Sequence, residues 1–268
     1  MTMQPPTSPR TTIGVLGGKG MLGSDLVEFL STRFDTIPID RDNYEDSRSQ
    51  VYDVLINANG NSRRFWANQN PVEDFEMSTL SVYKSIFDFD FKKYIYISSS
   101  DVYPDHSSPS VTSESAEIGH AELSPYGFHK YLSECVLKNR VEDYLILRCS
   151  MILGTSLRKG PLYDILANKP LYITLESRLQ MITTHEIAAI IEALLEKNLS
   201  RETFNIGGRG VFEMSKISSY IKMPISVGEE AETQVYEMNV AKLDMLHSVK
   251  TSKEYLEDFI AHHGKEIQ

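Results

Sequence analysis

Short runs of apolar residues recur along the chain, and between them apolar positions return every three or four residues. The runs are Thr12–Leu16, Thr36–Ile39, Val54–Ala58, Tyr94–Ser98, Tyr144–Leu147 and Thr203–Ile206. Continuous apolar runs of this length mark strands buried on both faces, as parallel strands are. The intervening pattern is helical. Leu22, Leu26 and Phe29/Leu30 share a face after the first run, Leu80, Tyr83, Ile86 and Phe87 do so before Tyr94, and Tyr131, Cys135 and Leu137 follow Lys130. A further helix is expected at about His185–Lys197. Strands alternating with helices predict right-handed crossovers and an α/β fold, a doubly wound parallel sheet. The stretches Gly154–Ser177 and Val211 to the end are less regular. They are expected to form a small lobe over the carboxyl edge of the sheet, where open α/β sheets bind ligands.

Composition narrows the function classes. The 268 residues, 41% of them apolar, suffice for one large domain with a sizeable core, or a domain with a small lobe. A net charge of −10 with no basic stripe speaks against nucleic-acid binding. An anionic small ligand is still accommodated, because helix N-termini and a few arginines hold phosphate locally. Cys135 and Cys149 have no partner at metal-ligand spacing and make no disulfide framework, so no metal is expected. No apolar run is long enough to cross a bilayer. The polar, proline-bearing stretch before Thr12 is unlike a secretory signal, so residues 1–11 are read as a flexible tail and the protein as cytoplasmic.

Four ordered features carry chemistry. Gly17-Gly18-Lys19-Gly20-Met21-Leu22-Gly23 follows the first strand and opens a helix. Gly17 permits a tight turn, Gly20 a close backbone approach by pyrophosphate, and Gly23 close packing of helix on sheet. Asp40 ends the second strand, placed to accept from adenosine ribose hydroxyls and to repel a 2′-phosphate, which favours NAD over NADP. Arg41 beside it is able to stack on adenine or attract that phosphate. Asn57-Ala58-Asn59-Gly60 offers small residues at a strand end, across which a cofactor can lie, although an Asn-Gly turn explains part of it. Last, Ser98-Ser99-Ser100-Asp101-Val102-Tyr103 accompanies Tyr126-Gly127-Phe128-His129-Lys130. On a helix Tyr126 and Lys130 share a face. An ammonium there favours the phenolate and suits the tyrosine to acid/base work.

With these strings in place the sequence resembles the extended short-chain dehydrogenases, which include sugar-nucleotide epimerases, dehydratases and reductases. GGKGMLG, YDVLINANG, YIYISSSDVYP, SPYGFHK and LILRCSMILG carry the likeness; LQMITTHEIA, ETFNIGG and the C-terminal segment follow it more loosely, out to about Ile260. The resemblance implies a Rossmann-type domain over 12–154 plus 180–207, with a discontinuous substrate lobe over 155–179 plus 208–268. It implies NAD or NADP as cofactor, a nucleotide sugar as substrate, and a homodimer. By position it makes Ser99 the residue that holds the substrate oxygen, with Ser100 beside it. Tyr126 becomes the proton carrier, and Lys130 the group that bridges the nicotinamide ribose and lowers the tyrosine's pKa. Asp101 matches a position where dehydratases of the family carry an acid. Arg178 and Gln180 fall near the family's nucleotide contacts.

Departures from the family pattern are also legible. The stretch between Asp40 and Val54 is too short for the further helix and strand of most relatives, so one edge strand is expected to be missing. Ser78 stands where relatives often have asparagine, and Cys149 where a proline is usual. Arg63 and Arg64 are able to meet a diphosphate but read more simply as a solvated pair. His129 and His185 sit inside helical patterns without metal-ligand spacing. Epimerisation or dehydration, with the cofactor regenerated each turnover, is the first reading, and net reduction of a keto sugar the second. A non-catalytic NAD(P)-binding regulator is a third, weakened because Ser99, Tyr126 and Lys130 are all retained.

Overall fold

The computed structural model describes residues 10–263. Most of the tail expected over 1–11 therefore lies outside the described residues. The six apolar runs all form strands of one sheet: β1 (Thr12–Leu16), β2 (Asp35–Ile39), β3 (Val51–Asn57), β4 (Asp90–Ser99), β5 (Tyr144–Cys149) and β6 (Glu202–Ile206). Their order is β6-β5-β4-β3-β1-β2, and every pair is parallel. The chain winds outward from β1 to β2, then returns to place β3 on the other side of β1. The direction of winding thus reverses between β1 and β3, the position at which such sheets bind ligands. β2 is the edge, as the short Asp40–Val54 connection requires; only a turn of helix, Tyr44–Ser47, stands in that connection.

Helices cover both faces. On one, α1 (Met21–Leu30) packs with α4 (Thr184–Glu196), and Leu26, Leu30, Ile187, Ile190, Ile191 and Leu194 are buried against β1, β4 and β5. The other face carries α2, a continuous run made of Pro71–Phe75, a π turn at Glu76–Leu80, and Ser81–Asp88, together with α3 (Pro125–Arg140). Val82 and Leu137 close over Tyr94, Tyr96 and Ile146 there. Each such side chain, buried completely, contributes about 2 kcal/mol of transfer free energy. The caps are local. Pro125 opens α3 at its first turn, where its missing N–H is no loss, and the Ser124 hydroxyl accepts from the Gly127 amide at 3.3 Å.

A separate apolar cluster joins Leu162, Ile165, Leu171 and Ile173 to Phe212, Met214, Ile217, Leu256 and Phe259. The segments that read as irregular are here short strands, a helix at Pro161–Leu166 and a longer one at Ser252–His263. Their strands are two to six residues long and pair across long sequence gaps, Arg178–Leu179 with both Phe212–Glu213 and Val235–Tyr236. Elements so short have no period to detect.

Candidate active site

The turn between β1 and α1 is shaped by its glycines. Gly17 has φ +78°, a left-handed conformation that L side chains avoid. A Cβ on Gly23 would lie 2.0 Å from the Gly17 carbonyl oxygen, so the helix can sit this close to the strand only without one. Gly20 caps α1 with no side chain, no acidic residue occupies the first turn, and the first N–H groups of the helix have no helical partners. Ala58 and Asn59 close the other side of the turn: a Cβ on Gly17 would meet Asn59 Cα at 3.0 Å and Ala58 O at 3.1 Å.

From there a cavity of about 910 Å³ runs along the end of β2, lined by Gly17, Lys19, Asp40, Arg41, Asn59 and Met77 among others. Asp40 is half-buried, and its Oδ2 is enclosed without a hydrogen-bond partner. An enclosed carboxylate oxygen with no donor is costly in isolation. A ligand that brings hydroxyls, as an adenosine ribose does, would meet it. Lys19 pairs with Asp42 at 2.7 Å at the exposed rim, and Arg41 is exposed. Together the glycine turn, the helix N-terminus and the unpartnered oxygen fit a dinucleotide. Asn57 serves this edge from behind: wholly buried, it donates to Tyr94 Oη at 2.7 Å and accepts from the Asn59 amide at 3.0 Å.

At the carboxyl end of β4 the strand stops at Ser99, and Ser100–Val102 turn as a 3₁₀ helix. Asp101 therefore does not continue the strand, yet the tight turn brings its carboxylate back to Ser99, whose Oγ donates to Oδ2 at 3.1 Å. α3 packs directly on this turn. A Cβ on Gly127 would fall 2.1 Å from Asp101 O, so the glycine after Tyr126 sets how closely the helix approaches. Tyr126 and Lys130 are both buried, and Lys130 Nζ donates to Ile97 O at 3.1 Å. Burial pushes the Tyr126 phenol up to about 12; the Lys130 charge opposes this, Asp101 adds to it, and a hydrogen bond with Ser99 lowers it. Ser99, Tyr126 and Lys130 are thus brought together, with the phenol protonated at neutral pH.

The Asp101 carboxylate has further partners. Arg64 Nη1 donates to Oδ1 at 3.0 Å, and the Tyr236 hydroxyl to the same oxygen at 3.1 Å. The Arg64 guanidinium also lies over the Tyr236 ring, 5.5 Å from its centre. Arg64 is therefore not a solvated residue but one side of a clamp, and Tyr236 is its other side, supplied by the C-terminal segment. Lys159, half-buried, donates to Ser62 O. Its ammonium is pushed down to about 8, first by burial and then by the charges of Lys130 and Arg63, with Asp101 opposing. Neither Tyr236 nor Lys159 lies in a motif. Aromatic and basic residues in irregular segments carry no signal of their own.

Two expected substrate contacts lie on and beside the short strand that pairs with Val235–Tyr236, but their side chains take no part in the hydrogen bonds of this cluster. Gln180 is completely buried; its amide donates to Gly208 O and Met238 O and accepts from the Met238 amide, joining the lobe to the sheet. With all three bonds made to backbone it has nothing left for a ligand. Arg178 is exposed on a two-residue strand. Ser100 is buried within the 3₁₀ turn.

A family model described as the NAD dependent epimerase/dehydratase family matches residues 13–207. No curated protein sequence matches the chain. Among solved structures, the chain is similar to dTDP-4-dehydrorhamnose reductase from Bacillus anthracis in complex with NADP, at 18% identity and a TM-score of 0.78, covering 96% of this chain and 99% of that one. It is also similar to a UDP-galactose 4-epimerase, at 18% identity and TM-score 0.76 over 96% and 100% of the two chains. MoeE5 in complex with UDP-glucose and NAD superposes at TM-score 0.81 with 14% identity, over 96% and 100%. At these identities the likeness is one of fold.

Proposed function

The chain belongs to the NAD-dependent epimerase/dehydratase family, a family of NAD(P)-dependent enzymes, and from that premise we propose that it moves a hydride at a carbinol or keto carbon of a nucleotide-linked sugar, with Tyr126 as acid/base. The observation that carries this is the convergence of Ser99, Tyr126 and Lys130 beside a cradle suited to a dinucleotide. A bound nicotinamide would supply or accept the hydride. Gly17, Gly18, Lys19, Gly20, Met21, Leu22 and Gly23 would hold the pyrophosphate, Asp40 would take the ribose hydroxyls, and Lys130 would orient the nicotinamide end. Ser99 holds the substrate oxygen while Tyr126 delivers or removes its proton.

The surroundings of Asp40 support NAD over NADP. Asp42, Glu45, Glu76 and Asp88 line the same cavity, against Lys19, Arg41 and Lys84. A 2′-phosphate would enter a region with a carboxylate excess.

Asp101 is read here as a holding residue, not a base. A base that removes a proton beside a keto group needs a free carboxylate, and this one is bonded to Arg64, Tyr236 and Ser99. That favours 4-epimerisation or net reduction over dehydration. Arg63, Arg64 and Lys159 provide positive charge for a diphosphate or an acidic sugar. The division into a sheet domain and a substrate lobe, a homodimer and a cytoplasmic location complete the reading; among the described residues no helix is long and apolar enough to cross a membrane.

The test is direct. Nucleotide released from the purified protein is identified by mass spectrometry, and the protein is then incubated with UDP- and dTDP-hexoses and their 4-keto derivatives. Tightly held NAD and interconversion of sugars without net cofactor change identify an epimerase. Consumption of NADH or NADPH with a keto sugar identifies a reductase. No nucleotide binding and no turnover across the panel would overturn the reading.

A further inference from the structure

One amide in the first turn of α3 is not satisfied by α3 itself. Pro125 has no N–H, the Ser124 hydroxyl takes the Gly127 amide at 3.3 Å, and the Ser124 carbonyl takes that of Phe128 at 2.8 Å. The Tyr126 N–H is left over, as the first N–H groups of a helix are. It donates to Asn68 Oδ1 at 3.3 Å, across 58 residues of sequence. Asn68 lies on the short helix Arg64–Gln69, one turn beyond Arg64. Residues four apart share a helix face, and here both reach the reacting pair. Arg64 holds one oxygen of Asp101, whose other oxygen accepts from Ser99, and Asn68 holds the backbone of Tyr126.

A helix of six residues does not stand by itself in water, and this one is fastened at both ends. At its start the buried Asn61 side chain accepts from the Arg63 amide at 2.9 Å and donates to the Arg63 carbonyl at 3.1 Å. The same Asn61 amide donates to Asp74 on α2 at 3.0 Å, and the other Asp74 oxygen bonds His129 Nδ1 on α3 at 2.6 Å. At the far end the Asn70 side chain donates to Trp66 O at 2.9 Å. Ala67, between the two ends, is completely buried. The Arg64 side chain is held by the lobe as well. Tyr236 donates to the Asp101 oxygen that Arg64 bonds, and its ring contacts the Arg64 guanidinium and stacks on the His106 imidazole at 3.8 Å.

We infer that the helix Arg64–Gln69 sets Tyr126 against Ser99: Asn68 fixes the first turn of α3 by the Tyr126 amide, and Arg64 fixes the Ser99 end through Asp101. The inference rests on Tyr126 as the acid/base and adds what holds it in register. Asn68 is a positioning residue, since it acts on the backbone of Tyr126 and not on a substrate. Ser124 cannot serve this purpose, because it belongs to the same segment as Tyr126 and moves with it. Asn68 stands instead on an element tied to the Ser99 turn. The close contact of Gly127 with that turn, where a Cβ would lie 2.1 Å from Asp101 O, limits how near α3 comes. It does not stop the helix from sliding along its axis, whereas a bond to one particular amide does. A misplacement of about 1 Å in a reacting group can cost 100-fold in rate. Loss of one neutral bond loosens the turn without moving it that far, so the expected cost is smaller.

Hydrogen exchange resolved to single amides tests the hold without any substrate. Asn68→Ala should speed exchange of the Tyr126 amide about tenfold and leave that of Glu134, in the middle of α3, unchanged. Asn68→Asp, which keeps an acceptor at the helix N-terminus, should exchange like the wild type. Asn68 is exposed, so both variants are expected to fold. Equal Tyr126 exchange in the wild type and Asn68→Ala would overturn the inference. In turnover of the UDP- or dTDP-sugar that the wild type converts, Asn68→Ala should lower kcat about fivefold, the scale of one neutral hydrogen bond. KM and NAD affinity should stay within about twofold, and Asn68→Asp should restore kcat. A raised KM at unchanged kcat, or no rescue by Asn68→Asp, contradicts the positioning role. Arg64→Gln combined with Asn68→Ala should cost less in kcat than the product of the single effects, since both act through one helix; simple multiplication contradicts a shared element. Unmoved exchange overturns this inference and leaves the proposed function standing. The expected exchange without turnover on any sugar of the panel overturns the function and leaves the hold on Tyr126 in place.

Discussion

The two ends of the cleft are built by opposite means. The end proposed for the cofactor is made mostly of backbone, chiefly in the stretch from Leu16 to Asp40: a left-handed Gly17, a Cβ-less Gly23 under the Gly17 carbonyl, and a helix N-terminus. The end proposed for the substrate is made of side chains from distant segments: Arg64 after β3, Asp101 after β4, Lys159 after β5, and Tyr236 in the C-terminal segment. The first tolerates almost no added atom. The second is held by polar contacts at a partly exposed surface, which are individually weak and replaceable. A fold family can therefore keep one cradle while varying what the other end recognises.

The contrast can be broken from either side. At the backbone-built end, Gly23→Ala places a methyl 2.0 Å from the Gly17 oxygen, and should destabilise by about 3 kcal/mol, the upper range for overpacking. Thermal unfolding with and without NAD measures this, and an unshifted midpoint would mean the turn is not rigid. Next in size, Asp40→Ala removes a charged acceptor and should weaken NAD about 10- to 100-fold, while weakening NADP less. Equal losses for both would transfer the role to Arg41. At the side-chain end, Tyr236→Phe deletes one bond to Asp101 and should raise KM severalfold with melting almost unchanged; a large fall in stability would show that the clamp belongs to the core. The smallest effect is a pH dependence. Lys159 is charged below about 8 and neutral above it, so affinity for an anionic substrate should fall as pH rises through that value. Lys159→Met should flatten the curve, and an unaltered curve would remove Lys159 from the cleft.

The same contrast explains what the sequence disclosed. The six strands, the sheet class and the place of β2 at an edge were legible because buried parallel strands are unbroken apolar runs and because a short connection cannot hold another strand. The glycine turn was legible because its constraints are contiguous. Tyr126 and Lys130 were legible because helical spacing fixes their common face. Tyr236 and Lys159 were not, since only the folded chain brings them to Asp101 and Lys130. The strand end at Ser99 was open from sequence, as an apolar run does not show where a 3₁₀ turn begins. Gln180 was drawn to the substrate by resemblance of position, whereas burial and three backbone bonds make it a strut between sheet and lobe. His129 and Asp74 gave no sign of pairing, because they are 55 residues apart.

The central claim is that Tyr126 carries the proton that accompanies hydride transfer. Tyr126→Phe removes one hydroxyl and leaves the helix, Ser99 and Lys130 in place. Its turnover, measured beside its affinity for NAD, is the most direct test. Turnover should fall by about 10² or more, the scale of a lost general acid/base, with cofactor affinity close to wild type. A variant that turns over near the wild-type rate, with NAD bound, would contradict the account.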